Sequence, residues 1–251
     1  MPHLYIVTGA SRGLGAAMAE QRLARDHHLL LISRRAPPDL SARAAAAGAA
    51  CEHWSADLSL TTDAAERLQA WLALREGSRW DSATLINNAA ALTRVGPVDA
   101  CTDAELSAAL RVGLEAPVLL TAAFLRATRR WPMPKRVLQI SCGLGSRAMA
   151  AQAPYCAAKA GLDHFTRSLA LDEAQQPYGA RVVSLAPGVI DTDMQAHLRA
   201  GDPATFPERH RFVQLQTQGQ LATPADTARL VLAYLARADF GSQPVADVRA
   251  A

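Results

Sequence analysis

Tyr5-Ile6-Val7-Thr8-Gly9-Ala10-Ser11-Arg12-Gly13-Leu14-Gly15 is an apolar run that stops at three glycines, with an alanine-rich helical segment straight after it. The glycines remove the Cβ atoms that would obstruct a tight turn, and they let backbone N–H groups approach a phosphate closely. The following helix aims its positive dipole end at the same point. The order predicts a strand, a phosphate-binding loop and a helix. Gly9, Ser11, Arg12, Gly13, Leu14 and Gly15 are the candidate binding residues of that loop.

The next strand outward, Leu29-Leu30-Leu31-Ile32-Ser33, is continuously apolar, as suits a strand buried on both faces of a parallel sheet. It ends in Ser33-Arg34-Arg35, where a dinucleotide site preferring NAD carries an acid for the ribose 2′-hydroxyl. The next acid is Asp39. A carboxylate would repel a 2′-phosphate, whereas guanidinium groups bind one through paired hydrogen bonds. Ser33, Arg34 and Arg35, with Arg12 closing from the other side, predict NADP(H).

Strand and helix then alternate to the end of the chain. Residues 37–50 hold Pro37-Pro38 and an alanine-rich helix ended by Gly48. A short strand near Cys51–Ala56 leads to Asp57-Leu58, and Thr61-Thr62-Asp63 starts a helix to about Arg75. Strand Ala83–Ile86 runs into Asn87-Asn88-Ala89-Ala90. Thr102-Asp103 opens a long helix to about Arg129, with Gly113 and Pro117 inside it as sources of a bend. Val137–Ser141 is a strand, Pro154 to Ala174 a helix, and Arg181–Ala186 a strand ending at Pro187-Gly188. Residues 193–222 lack a sheet period and read as a mobile lobe. Thr223-Pro224-Ala225-Asp226 starts a last helix to about Arg237, and Val245–Arg249 supplies a final strand. The expected architecture is α/β: one doubly wound domain over 1–251, with a parallel sheet flanked by helices.

The bulk properties exclude several classes. Half of the 251 residues are apolar, enough for one sizeable core, and a net charge of +3 gives no case for a nucleic-acid partner. No apolar run approaches the roughly 18–20 residues of a membrane span, and the chain enters its first strand without a signal-like segment. Cys51, Cys101, Cys142 and Cys156 have no CxxC spacing, so neither a metal site nor a disulfide framework is expected. A cytoplasmic, reducing setting fits these features.

Tyr155 and Lys159 lie four residues apart on a helix, hence on one face. A nearby ammonium would bring the Tyr pKa down from about 10 towards working pH. Tyr155 could then donate a proton to a carbonyl oxygen as hydride reaches the carbon.

Thr8-Gly9-Ala10-Ser11-Arg12-Gly13-Leu14-Gly15 matches the TGxxxGxG motif of the short-chain dehydrogenases/reductases. Asp57-Leu58 resembles their adenine-contact pair, and Asn87-Asn88-Ala89-Ala90 their NNAG motif with its glycine replaced by Ala90, bringing in Asn88 and Ala89. Tyr155-Cys156-Ala157-Ala158-Lys159 matches YxxxK. Pro187-Gly188-Val189 with Thr192 resembles the segment that contacts the nicotinamide carboxamide. The resemblance covers nearly the whole chain and implies a Rossmann fold, nicotinamide hydride transfer, and a homodimer or homotetramer. Residues 155–163, 187–195 and 212–221 look like the sepiapterin reductase and benzil reductase branch, whose members reduce dicarbonyl side chains or diketones with NADPH. In sepiapterin reductases an Asp near the C-terminus anchors the substrate. Asp247 stands at about that place, either as such an anchor or as a solvated strand-edge charge.

Two positions depart from the family pattern. The catalytic Ser position holds Cys142, a poorer hydrogen-bond donor; its neighbour Ser141, on the opposite strand face, is the other catalytic candidate and could take over only with a shift of the backbone. The Asn that helps hold a water in the proton relay aligns with Gly113. The expectation is therefore an NADPH-dependent reductase of a small ketone or diketone, with Tyr155 as proton donor, Lys159 binding ribose and Cys142 holding the substrate oxygen. The alternative is an NADP(H)-binding sensor or partner protein with little catalysis. Cys142, close to Lys159, also suggests a thiol of lowered pKa.

Overall fold

The computed structural model describes residues 2–250, apart from the side chain of Thr61. Strand β1 (His3–Thr8) pairs in parallel with β2 (His27–Ser33) on one side and β4 (Ser82–Asn87) on the other. With β3 (Ala50–Ser55), β5 (Lys135–Ile140), β6 (Arg181–Ala186) and β7 (Val245–Asp247), they form a seven-stranded sheet in the order β3-β2-β1-β4-β5-β6-β7, parallel throughout. Connections after β1 run outward in one direction and those after β4 in the other. The crevice between β1 and β4, at the carboxyl ends, is the topological switch point where ligands of such sheets bind.

The period-2 geometry of the strands divides the core into two layers. Leu4, Ile6, Leu30, Ile32 and Leu85 face α3 (Thr61–Ala73) and α5 (Ala116–Thr128), where Leu68, Leu72, Leu120 and Phe124 are fully buried. Val7, Leu29, Leu31, Ile86 and Leu138 face α1 (Gly13–Glu20) and α9 (Pro224–Ala236) through Met18, Val231 and Leu232. At roughly 1.5–3 kcal/mol for each fully buried aliphatic side chain, these continuous apolar runs are what hold the sheet between its helices. α9 begins as its sequence dictates: the Thr223 hydroxyl accepts the Asp226 N–H at 3.0 Å, with Pro224 in the first turn. The short α2 (Leu40–Ala47) ends at Gly48 in the left-handed region, φ 65°.

Three expectations change. The long helix from Thr102 is broken into α4 (Asp103–Leu110), a π-helical turn over Arg111–Glu115, and α5. Gly113 lies inside that turn, and Pro117 follows it as the second residue of α5, whose backbone runs on from the turn in the right-handed helical region. Taken as one, residues 103–128 are long and apolar enough to cross a membrane, with mean hydropathy 1.6, contrary to the reading of the sequence; half of that window is buried in the fold. Residues 193–222, without a period of their own in sequence, form α7 (Asp193–Arg199) and α8 (Arg209–Thr217). These close over a small core of Met149, Leu198, Phe206 and Phe212.

Candidate active site

The Gly-loop leaves β1 at the switch point. Gly9 and Gly13 both have positive φ, 66° and 56°. A Cβ on Gly15 would strike the Gly9 carbonyl and come within 2.5 Å of Asn88 Nδ2. Only glycine fits there. Thr8 Oγ1 accepts the backbone N–H groups of Asn88 (3.0 Å) and Ala89 (3.1 Å), while Asn88 Nδ2 donates to the Thr8 carbonyl at 3.0 Å. The end of β4 therefore splints the loop. Thr8 was not singled out in the sequence, although it lies within the motif.

No side chain caps the start of α1, and its first N–H groups have no hydrogen-bond partner among the described residues. Ser11 and Leu14 belong to this turn; Leu14 is buried beneath it, and Ser11 is partly exposed. The cradle, the uncapped helix start and the close approach at Gly15 suit a dinucleotide pyrophosphate. Ser33 is buried, donating to the Arg35 carbonyl at 2.8 Å, and the Arg34 and Arg35 side chains are exposed beside it. Asp57 Oδ1 accepts the Ser59 N–H and hydroxyl, both at 2.9 Å; those bonds, then the charge of Arg34, hold its carboxyl below the usual range. Leu58 is buried next to it. Arg12, by contrast, pairs with Asp193 at the start of α7, Nη1 to Oδ2 2.5 Å, both side chains mostly exposed. The expected two-arginine clamp is not assembled in this state.

Helix α6 (Ala153–Ala174) carries Tyr155 and Lys159 into the crevice, and both are buried. Lys159 Nζ donates to the Ile140 carbonyl at 2.6 Å and lies 5.7 Å from the Tyr155 ring centroid. The Tyr155 hydroxyl donates to Met194 Sδ of α7 at 3.9 Å, so the lobe reaches over this hydroxyl. Cys142 lies beside the same hydroxyl. It is close enough that each group's ionisation bears on the other's. Its Sγ accepts the Leu144 N–H at 3.3 Å. Ser141 Oγ is buried without a partner among the described residues. Cys142, not Ser141, is thus the residue that meets Tyr155, as the alternation of side chains requires.

Electrostatically the site departs from the sequence reading. Burial, with the neighbouring thiol of Cys142, pushes Tyr155 well above the ordinary phenol value. The lowering expected from Lys159 does not prevail, because burial penalises phenolate more than a remote ammonium favours it. Burial also lowers Lys159, offset by Cys142 and Asp163. The Cys142 thiol is raised by burial, with Lys159 pulling the other way, so the expected lowered-pKa thiol is corrected. In this state both groups keep their protons at neutral pH. A Tyr155 hydroxyl raised in this way has a proton to give.

On the far side, Gly188 has φ 87° and Thr192 packs towards the Gly-loop, its Cγ2 3.4 Å from where a Gly13 Cβ would stand. Pro187 is buried and Val189 half-buried in the same segment. Asp247 at the end of β7 is held by Arg249 through Nε at 2.9 Å and Nη2 at 2.5 Å. That pair depresses the Asp247 carboxyl. The anchor expected there is therefore an ion pair, which a substrate would have to open. Gly113 is buried against α6, and a Cβ on it would come 3.0 Å from Ala158 Cβ.

Comparisons with known proteins agree with this geometry. The family model described as short chain dehydrogenase matches residues 3–203. A benzil reductase ((S)-benzoin forming) of Bacillus cereus is 32% identical over 235 residues, 94% of either chain. A sepiapterin reductase of Meriones unguiculatus is 31% identical over 250 residues, 94% of this chain and 92% of that one. Among solved structures, a metagenomic short-chain oxidoreductase in complex with NADP superposes with a TM-score of 0.71 at 28% identity, covering 98% of this chain and 94% of the other.

Proposed function

Because the chain belongs to the short chain dehydrogenase family, we propose that it is an NADPH-dependent reductase of a ketone or diketone carbonyl. The family binds nicotinamide cofactors, and when bound the cofactor supplies the hydride. The preference for NADPH is supported by Arg34 and Arg35, exposed at the end of β2 with no acid among Ser33–Arg35. Gly9, Ser11, Arg12, Gly13, Leu14 and Gly15 would hold the pyrophosphate side, Asp57, Leu58, Asn88 and Ala89 the adenosine side, and Pro187, Gly188, Val189 and Thr192 the nicotinamide. For Arg12 to join the phosphate, its pair with Asp193 must open.

The observation that carries the reading is the buried, protonated Tyr155 beside Cys142, with Lys159 four residues away on α6. The Tyr155 hydroxyl gives its proton to the carbonyl oxygen as that oxygen gains charge. The Cys142 thiol donates a weak hydrogen bond to the same oxygen. Lys159 holds ribose and favours the phenolate left behind. The diketone class follows from the benzil reductase and sepiapterin reductase relatives, and Asp247 or its Arg249 partner would meet the substrate's far end. We take residues 1–251 as one domain with a substrate lobe at 193–222, of which Met1 and Ala251 lie outside the described residues, and the assembly as a homodimer or homotetramer.

The test is NADPH oxidation with benzil and other diketones, run beside NADH. Turnover should be faster with NADPH, and Tyr155→Phe should lower kcat at least 100-fold while leaving NADPH binding intact. Activity untouched by that substitution sinks the mechanism. The crowding of Gly113 against Ala158 favours a second reading, an NADP(H)-binding sensor or partner protein with little turnover. Tight NADPH binding with no reduction across a broad carbonyl panel, from the wild type and from Cys142→Ser alike, would support it.

A further inference from the structure

Of the 26 basic residues in the chain only two are lysines, Lys135 and Lys159, and both are buried. The ammonium of Lys159 bonds to the Ile140 carbonyl, which takes one of its three donors and brings no opposite charge. Burial on its own disfavours the charged form of such a group. Asp163 lies one turn further along α6 on the same face, itself only 4% exposed. Its Oδ1 accepts the Ser184 hydroxyl of β6 at 2.6 Å. Its Oδ2 lies over Gly145, where any Cβ would collide with it. Gly145 closes the turn after Cys142 by donating its N–H to the Cys142 carbonyl at 3.0 Å. This carboxylate is in no ion pair among the described residues, and the chemistry above gives it no part.

We propose that Asp163 is the positioning residue of the site: its buried carboxylate keeps the Lys159 ammonium charged and seats the turn that carries Cys142. Tyr155 and Cys156 on α6, Cys142 beyond β5 and Ser184 on β6 stand around the same place. Burial lowers Lys159, and Cys142 and then Asp163 work against it; with burial holding the Cys142 thiol protonated, the Asp163 carboxylate is the charge left to do so. The consequence for turnover rests on the reductase reading; the charge on Lys159 does not.

The experiment uses the full chain without cofactor, labelled with [ε-13C]lysine, which gives two signals assigned with Lys135→Arg. In the wild type Lys159 should carry the ammonium signature at pH 7.5. Asp163→Asn keeps the shape and an oxygen for Ser184, and should lower the Lys159 midpoint by at least one pH unit, tenfold in its ionisation constant, with Lys135 unmoved. In turnover, the alkaline limb of kcat should move to lower pH by a similar interval, a change that a merely structural role would not produce. A Lys159 midpoint unchanged in Asp163→Asn overturns the proposal. So does a neutral Lys159 amine at pH 7.5 in the wild type, a result that needs no variant to fold. Titration as expected with no carbonyl reduction by the wild type would leave this inference standing and overturn the reductase reading alone.

Discussion

Cys142 sits where a hydroxyl would be the better donor, and its burial keeps the sulfur protonated. If the thiol limits transition-state stabilisation, Cys142→Ser should raise kcat for a diketone about tenfold, near 1.4 kcal/mol of barrier. The gain should vanish in Cys142→Ser/Tyr155→Phe, since the hydroxyl at 142 assists a proton that only Tyr155 delivers. A fall in kcat on Cys142→Ser would show a pocket shaped around sulfur. Residues of this kind differ in how far sequence exposes them. The three loop glycines are legible because positive φ and the contact of Gly15 with the Gly9 carbonyl admit no other side chain. Tyr155 and Lys159 are legible by helical spacing. The Ile140 carbonyl that holds Lys159 carries no side-chain signal at all, and the pairing of Asp247 with Arg249 depends on a turn geometry that sequence does not fix.

At the scale of elements, the π turn at Arg111–Glu115 and the adjoining stretch of α6 approach unusually closely. Gly113 faces Ala158, and Gly161 faces Leu114, whose Cδ2 would stand 2.9 Å from a Cβ on Gly161. The glycine where the family carries Asn is therefore bound up with this packing. Gly113→Asn should restore little or no turnover and should destabilise the fold by about 1–3 kcal/mol, the usual cost of overpacking. Adding Ala158→Gly makes room, and Gly113→Asn/Ala158→Gly should regain part of the lost stability in a thermal melt and raise kcat above Gly113→Asn alone. Equal stability of Gly113→Asn and the wild type would mean that the two helices part easily. Gly113 and Pro117 mark this place in the sequence as a disturbance of the helix. They do not say that the disturbance is an extra residue in one turn rather than a bend.

Across the whole molecule, alternating apolar runs and glycine or proline breaks fix the order of strands, and the observed boundaries lie within two residues of those read from sequence for most elements. The lobe at 193–222 was opaque because its small core is assembled with Met149 from a distant loop. A tie at the opposite end of the sheet from the site gives the fold a test separate from catalysis. Glu173, at the end of α6, has a side chain only 3% exposed. It accepts from Arg129 Nη1 at 3.0 Å and Nη2 at 2.7 Å, and from the Ala180 N–H at 2.8 Å, just before β6. One carboxylate therefore joins the end of α5, the end of α6 and the entry to β6. Breaking a fully buried pair costs about 3–5 kcal/mol, but the Arg129 side chain is 38% exposed and can turn to water, so about 2–3 kcal/mol is expected for Glu173→Ala. In a chain of this size that lowers Tm by about 5–10 °C. Glu173→Gln, which keeps an acceptor for the Ala180 N–H, should lose less. Because β6 enters the sheet here and the crevice lies at its carboxyl end, KM for NADPH should stay the same in both variants below their melting range. A Tm fall of less than about 2 °C in Glu173→Ala would mean that the α5, α6 and β6 contacts hold this end without the ion pair, and a raised KM would mean that the two ends of the sheet are coupled.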